Sequence, residues 1–261
     1  MKIGTLVWYG DYPFKGAIEK LKEIGFDYFE LSLDYPLPDI CNYRDLKSSL
    51  DGIEIAFHSP LDIFIAQPRD EVFRASLKVF KRCLDFASKF DTLYYNFHVN
   101  YSVSTYAFKE VRDKIIKNGL KACKIALRYG KNYGFDVCIE YDWRFDKVFL
   151  IDDLKITLDI GHFVLKEIES GKDYIKSLKR FVKEFDNKIL VIHLHDCNTE
   201  NLIDHLSLGV GDLNLKEIIE IVGVRDYILL ETFWRDRHGK DIVSYEDLSH
   251  NLITLKSLLS P

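Results

Sequence analysis

Eight short runs of apolar, β-branched and aromatic residues recur along the 261 residues of this chain, each followed by a longer segment. Their periodicity predicts strands at Lys2–Trp8, Asp27–Leu33, Ile53–His58, Thr92–His98, Asp136–Glu140, Lys155–Asp159, Lys188–His195 and Tyr227–Thr232, with helical spacing of apolar positions in between. The clearest helix follows the fourth run. There Phe108, Val111, Ile115, Ile116, Leu120, Cys123, Ala126 and Leu127 keep to one face, and the pattern ends near Gly130 and Gly134. Eight units in this length leave about 33 residues per unit, the size of a βα repeat with a right-handed crossover. No Pro-, Gly- or Ser-rich stretch separates two units, so residues 1–261 read as a single α/β domain, a closed (β/α)8 TIM barrel. An open doubly wound sheet would carry a glycine-rich loop after its first strand. That loop reads Tyr9-Gly10-Asp11-Tyr12-Pro13 instead, without G-x-G-x-x-G.

With 47% hydrophobic and 30% charged residues the chain has ample surface to bury, which excludes intrinsic disorder. A net charge of -5 and a pI of 5.9 give no global basic field to attract a phosphate backbone, although bound divalent cations would reverse the sign locally. Cys41, Cys83, Cys123, Cys138 and Cys197 form an odd set without C-x-x-C spacing and read as reduced, mostly buried thiols, which points to the cytoplasm. No run is long and uncharged enough for a signal or a membrane span, so no membrane partner is expected.

The chemistry collects at one end of the strands. His58, His98, Glu140, Asp159, His193 and Glu231 stand at or within a residue or two of the C-terminal ends of six predicted strands. In a closed barrel those ends converge on one mouth. Imidazoles and carboxylates buried there are costly unless paired or coordinated, and a divalent cation in their midst satisfies all of them at once. His162 extends the set through Asp159-Ile160-Gly161-His162, where glycine permits a tight turn, and His195 shares a strand face with His193. His205 opens the stretch to Gly211, whose glycines read as turn formers rather than a phosphate cradle. His238 and His250 fall outside the pattern and are assigned to the surface or a loop. Trp8, Trp143 and Trp234 sit at the same rim, where their rings could stack on a sugar face or a base. Arg144, Arg235 and Arg237 occupy neighbouring loop positions suited to a phosphate or carboxylate.

Taken together, His58-Ser59-Pro60, Asn96-Phe97-His98, Ile139-Glu140, Leu158-Asp159-Ile160-Gly161-His162, Ile192-His193-Leu194-His195-Asp196, His205 to Gly211 and Leu230-Glu231 resemble the xylose isomerase-like barrels. That group includes sugar isomerases and epimerases and the endonuclease IV family, and the likeness spans nearly the whole chain. Similarity to the sugar branch implies one divalent ion, zinc, manganese or magnesium, held by Glu140, Asp159, His193 and Glu231. Glu140 and Glu231 would act as base and acid beside a polarised carbonyl, and His162 would bind a substrate oxygen. It also implies a carbohydrate or sugar-phosphate substrate, with Trp8, Trp143, Trp234, His195, Arg144 and Arg235 as its contacts.

Similarity to the endonuclease branch implies up to three zinc ions: one on His58, His98 and Glu140, one on the four ligands above, and one on His162 and His205. The reaction would then be cleavage of a phosphodiester in abasic DNA. Both likenesses are incomplete. The arginine of ketose epimerases is missing after His193, and the aspartate expected two residues before His205 is Ile203, with Asp204 displaced by one. His195 and Asn198 replace the nuclease asparagine and lysine, and Arg44 and Lys47 are the only cations between Leu33 and Asp51. The sugar reading therefore leads, the nuclease reading is the alternative, and a non-catalytic metal-containing barrel is a third. The oligomeric state stays open.

Overall fold

A computed structural model describes residues 1–50 and 52–260; Asp51 and Pro261 lie outside the described residues. The strands are β1 (Lys2–Val7), β2 (Tyr28–Ser32), β3 (Glu54–His58), β4 (Thr92–Phe97), β5 (Asp136–Glu140), β6 (Lys155–Asp159), β7 (Ile189–Leu194), β8 (Asp196–Asn198), β9 (Ile203–Leu206) and β10 (Tyr227–Leu230). Around them lie α1 (Lys15–Ile24), α2 (Tyr43–Ser49), α3 (Asp70–Ala87), α4 (Lys109–Tyr133), α5 (Ile160–Glu169), α6 (Tyr174–Phe185), α7 (Leu215–Val222) and α8 (Tyr245–Leu259). Eight of the strands close into a parallel barrel in the order β1-β10-β7-β6-β5-β4-β3-β2, and β8 and β9 form a separate antiparallel pair. The expected (β/α)8 barrel is thus present, with strand ends within one or two residues of those read from periodicity. Among the described residues no helix is long and apolar enough to cross a membrane.

Two local expectations need correction. The strict alternation fails after β5, where residues 141–154 hold only a short 3-10 turn at Lys147–Phe149, while two helices, α5 and α6, follow β6. Aromatic rings cover the gap: Tyr141 lies 4.8 Å from Phe145, 5.0 Å from Phe163 and 5.1 Å from Phe181 between ring centroids. The β8–β9 hairpin is the second departure. Its strands are too short to leave a periodic signal, and local backbone geometry, with Leu202 and His205 at positive φ, makes the reversal.

The barrel interior is built in layers by the two-residue period of a strand. Its lower layer is an apolar plug of Tyr28, Ala56, Tyr94, Cys138, Val191 and Leu229. Tyr28 and Tyr94 meet edge to face at 6.0 Å, and the hydroxyl of Tyr94 bonds that of Tyr28 at 3.2 Å. Two residues further along the same strands stand Glu30, His58, Asn96, Glu140, His193 and Glu231, all buried. Gly4 on β1 makes room for the plug, because a Cβ there would sit 2.5 Å from the Tyr28 ring. Replacing Gly4→Ala should therefore overpack the plug and cost about 1–3 kcal/mol, read from the urea midpoint. An unchanged midpoint would mean that the ring can move aside.

Candidate metal centre

The layer above the plug, with the strand ends, α5 and the hairpin beside it, gathers three groups of metal-competent side chains, and within each group the donor atoms lie within 4.8 Å of one another. They are His58, His98 and Glu140; Glu140, Asp159, His193 and Glu231; and His162, Asp204 and His205. Glu140 is shared by the first two. All eight residues expected as ligands are here, joined by Asp204, so the one-residue displacement noted in the sequence is absorbed by the hairpin. The positive φ of His205 turns the backbone and leaves the Asp204 Oδ2 3.3 Å from the His162 Nε2.

Outer partners decide which ring nitrogen each histidine offers inward. His58 donates from Nδ1 to the Ser59 carbonyl at 2.7 Å, which leaves Nε2 facing Glu140 Oε2 at 3.1 Å. His98 does the same through Asp142, with Nδ1 at 3.0 Å from Oδ2 and Nε2 at 3.7 Å from Glu140. His205 donates from Nδ1 to the Glu231 carbonyl at 3.0 Å. Such second partners fix ring orientation and raise the basicity of the free nitrogen. Asp159 caps α5, accepting the His162 amide at 2.6 Å and the His195 Nε2–H at 3.2 Å.

One pair tests whether a cation belongs here. His193 Nδ1 and Glu231 Oε2 stand 2.8 Å apart, yet neither makes a hydrogen bond of acceptable geometry. Both atoms are thus available to a common ion; donors about 2.1 Å from a tetrahedral ion stand about 3.4 Å apart, so this pair would open slightly around one. Glu140 Oε2 lies 3.5 Å from the same nitrogen. The His162 Nδ1 is likewise buried without a partner. A mixed imidazole and carboxylate set of this kind fits zinc or manganese, and magnesium as the carboxylate share rises.

The electrostatics point the same way. Burial alone would raise the Glu140 carboxyl, but His98, His193 and His58 hold it well below the carboxylate range. Burial likewise opposes ionisation of Asp159, Glu231 and Asp204, and the adjacent imidazoles outweigh it, taking Asp204 down to about 2. Burial should depress the histidines, yet Glu140 lifts His58 to about 9 and Asp159 with Asp204 lifts His162 to about 9. His205 is the exception, lowered by burial and by His195. Protons on these rings stand where the field calls for positive charge.

The sequence also missed residues. Glu30 lies fully buried on β2, its Oε2 3.5 Å from the Nε2 of His193. Asn96 donates to Glu140, and Asp142 anchors His98. The signal for Glu30 and Asn96 was the two-residue step from a large interior residue on the same strand.

Other expected contacts sort by exposure. A cavity of about 910 Å³ opens over the layer, and Trp8, Trp143, Trp234 and Arg144 line it, as do His58, His98, Glu140, His162, His205 and Glu231. His195 does not reach it. Its ring is fully buried, stacked 4.2 Å under His205 and filling the space a Cβ on Gly161 would take, 1.8 Å from that ring. That glycine is needed for the imidazole, and His195 supports Asp159 instead of meeting substrate. Arg235 is also outside the cavity: residues 235–241 close on themselves, with the Arg235 amide on the Asp241 carbonyl and its guanidinium 3.8 Å from the Asp241 carboxylate. Arg237 pairs with Asp212 at 2.8 Å. The glycines after His205 act as turn formers, since the Gly209 and Gly211 amides bond the chain's own Asp196 at 2.9 and 3.1 Å. His238 and His250 are exposed.

A family model described as xylose isomerase-like TIM barrel matches residues 18–249. Comparison with curated proteins by sequence finds no match. Among solved structures the chain is similar to a D-tagatose 3-epimerase-like protein, with TM-score 0.75 and 21% identity over 99% of this chain and 97% of that one. It is similar also to D-psicose 3-epimerase from Clostridium cellulolyticum H10, with TM-score 0.76 and 16% identity over 100% of both chains. A third is 3-keto-D-glucoside 4-epimerase from E. coli, with TM-score 0.74 and 15% identity over 98% and 99%.

The imidazoles give a pH test with a definite sign. His58 and His162 stand near 9 in the metal-free fold against an ordinary 6.5, so their stabilisation is complete below pH 6.5 and is lost as pH climbs through 9. Divalent ions compete with those protons and bind better as they leave. The thermal midpoint of chelator-treated protein should fall across this window, while the increment produced by added Zn2+ or Mn2+ grows. A metal increment that does not change with pH would show that these nitrogens are not the ligands.

Proposed function

We propose that this chain, which belongs to the xylose isomerase-like TIM barrel family, is a divalent-metal-dependent sugar or sugar-phosphate isomerase or epimerase that moves a proton on the carbon beside a carbonyl. The observation that carries the reading is the pair Glu140 and Glu231, two carboxylates on the floor of one cavity that also flank the donors of Asp159 and His193. Glu140, Asp159, His193 and Glu231 would hold the ion. When bound, it supplies polarisation of a substrate carbonyl and so acidifies the neighbouring C–H.

The chain's own residues do the rest. Glu231 offers an oxygen without a hydrogen-bond partner and takes the proton. Glu140, held by Asn96 and His58, faces the other side of the substrate carbon and exchanges the second proton. His162 binds a substrate oxygen from its exposed edge. Trp8, Trp143 and Trp234 cover the site against water, and Arg144 receives a phosphate when the substrate has one. Two of the similar proteins are epimerases by name, of D-psicose and of a 3-keto-D-glucoside, and the third is D-tagatose 3-epimerase-like, which supports this chemistry over others. Residues 1–261 act as one domain, in a reducing cytoplasm where the five free cysteines stay unpaired.

A second reading rests on one observation, the Asp204 carboxylate beside His162, which completes a third donor group. Two or three clustered ions would suit hydrolysis of a phosphodiester. Against duplex DNA stands the cavity wall, where Arg144 is the sole lysine or arginine among the described lining residues while Asp11, Asp34 and Asp142 are acidic.

Glu231→Gln should lower kcat about 10²–10⁴-fold for metal-dependent exchange of a substrate C–H with deuterated water, with the circular dichroism spectrum unchanged. Retained exchange would remove Glu231 from the catalytic role. Elemental analysis of purified protein separates the two readings. One ion per chain and no cleavage of an abasic oligonucleotide fits the sugar enzyme, whereas a count that falls by one in the double variant His58→Ala, His98→Ala, together with cleavage, favours the hydrolase.

A further inference from the structure

The cavity is larger and more apolar than a sugar alone requires, and its parts are unlike. At about 910 Å³ it approaches the upper end of the roughly 300–1,000 Å³ that enclose drug-sized ligands. Its metal-competent groups lie on the floor. The wall formed by β1, the segment after β10, α1 and α8 is of another kind. Ala17 and Leu21, one turn apart on α1, bound a slot there with Val7, Val243 and Leu248. Ala17 and Leu21 are only 6% and 2% exposed, so the slot reaches into the layer between barrel and helices. Trp8, Ile242 and Tyr245 form its lip at 50%, 60% and 41% exposure.

Below the lip, the polar side chains of this wall are already committed. Thr5 donates its hydroxyl to the Leu230 carbonyl, Asp11 accepts the Trp8 amide, Thr232 accepts from Asn251, and Ser244 donates to Asp247. Sugar hydroxyls placed in the slot would lose water without gaining partners, at a cost. An alkyl or aryl group placed there would lose only unfavourable contact with water.

We propose that the substrate is a keto-glycoside: a sugar head that carries a ring ketone beside the carbon whose proton is exchanged, received by the floor and joined to an apolar alkyl or aryl aglycone that fills the slot between α1 and α8. The inference rests on the sugar reading above. One cavity is lined by Glu231 and His205 at one end and by Leu21 and Leu248 at the other, so a single molecule spans both. Because the slot is a cleft within that cavity, a substrate's own tail suits it better than a partner protein.

Calorimetric titration of the metal-loaded full chain with methyl and phenyl 3-keto-β-D-glucosides, D-fructose and phenol tests it, alongside C–H exchange in deuterated water for the three sugars. The phenyl glycoside should bind at least about tenfold tighter than the methyl glycoside. Ala17→Phe, which fills the slot, should reduce that ratio below about twofold, and Val243→Asp, which charges it, should do the same if the first variant fails to fold. Equal affinity for both glycosides, with exchange in each, would overturn the aglycone slot and leave the sugar enzyme standing. Phenol binding as tightly as the phenyl glycoside, with no exchange in any sugar, would overturn the sugar reading and the glycoside with it.

Discussion

A closed barrel has one interior, and everything polar in this molecule follows from how that interior is divided. Tyrosines and small apolar residues fill the lower layer, and one strand period above them stand carboxylates and imidazoles with almost no access to water. Burying that many ionisable groups is unfavourable unless their charges cancel locally. Here imidazoles stand against carboxylates: Glu140 lifts His58, Glu231 and Glu140 lift His193, and His98, His193 and His58 lower Glu140. The shell of strands and helices supplies the apolar burial that makes such a layer tolerable.

Direction matters as much as charge. A histidine becomes a useful donor only when its second nitrogen is occupied elsewhere, and this chain spends backbone carbonyls of Ser59 and Glu231 and the carboxylate of Asp142 on that task. His195 links two neighbouring groups: it bonds the Asp159 carboxylate through one nitrogen, and the His205 amide donates to the other at 2.8 Å. The β8–β9 hairpin thereby sets both Asp204 and His205 against the barrel. A small insertion after one strand thus decides whether a third donor group exists.

Above the charged floor the walls change character. Aromatic and aliphatic side chains from β1, α1, α8 and the segment after β10 face Asp34 from the loop after β2 and Asp142 and Arg144 from the loop after β5. A ligand bound there meets imidazoles and carboxylates at its base and hydrophobic side chains along its side. The two are physically separable, the first depending on ionic chemistry and pH, the second on buried apolar area.

Much of this was legible in the chain. Regularly spaced apolar runs located all eight barrel strands, because a strand covered on both faces of a parallel barrel is apolar nearly throughout, and their ends put His58, His98, Glu140, Asp159, His193 and Glu231 at one mouth. The missing helix after β5, by contrast, was hidden, since rings brought together from Tyr141, Phe163 and Phe181 cover the gap only in three dimensions. Glu30 looked like one charge in an apolar run, and its role depends on the ring of His193 from across the barrel. Arg235 stood at the right place in the sequence, yet a loop closing on Asp241 turned it away. Local order along the chain dictates which residues face inward, because strand geometry is fixed by the backbone. Which of them touch, which nitrogen faces the centre and how deep a cleft runs are settled only by contacts between distant segments, which no local period encodes.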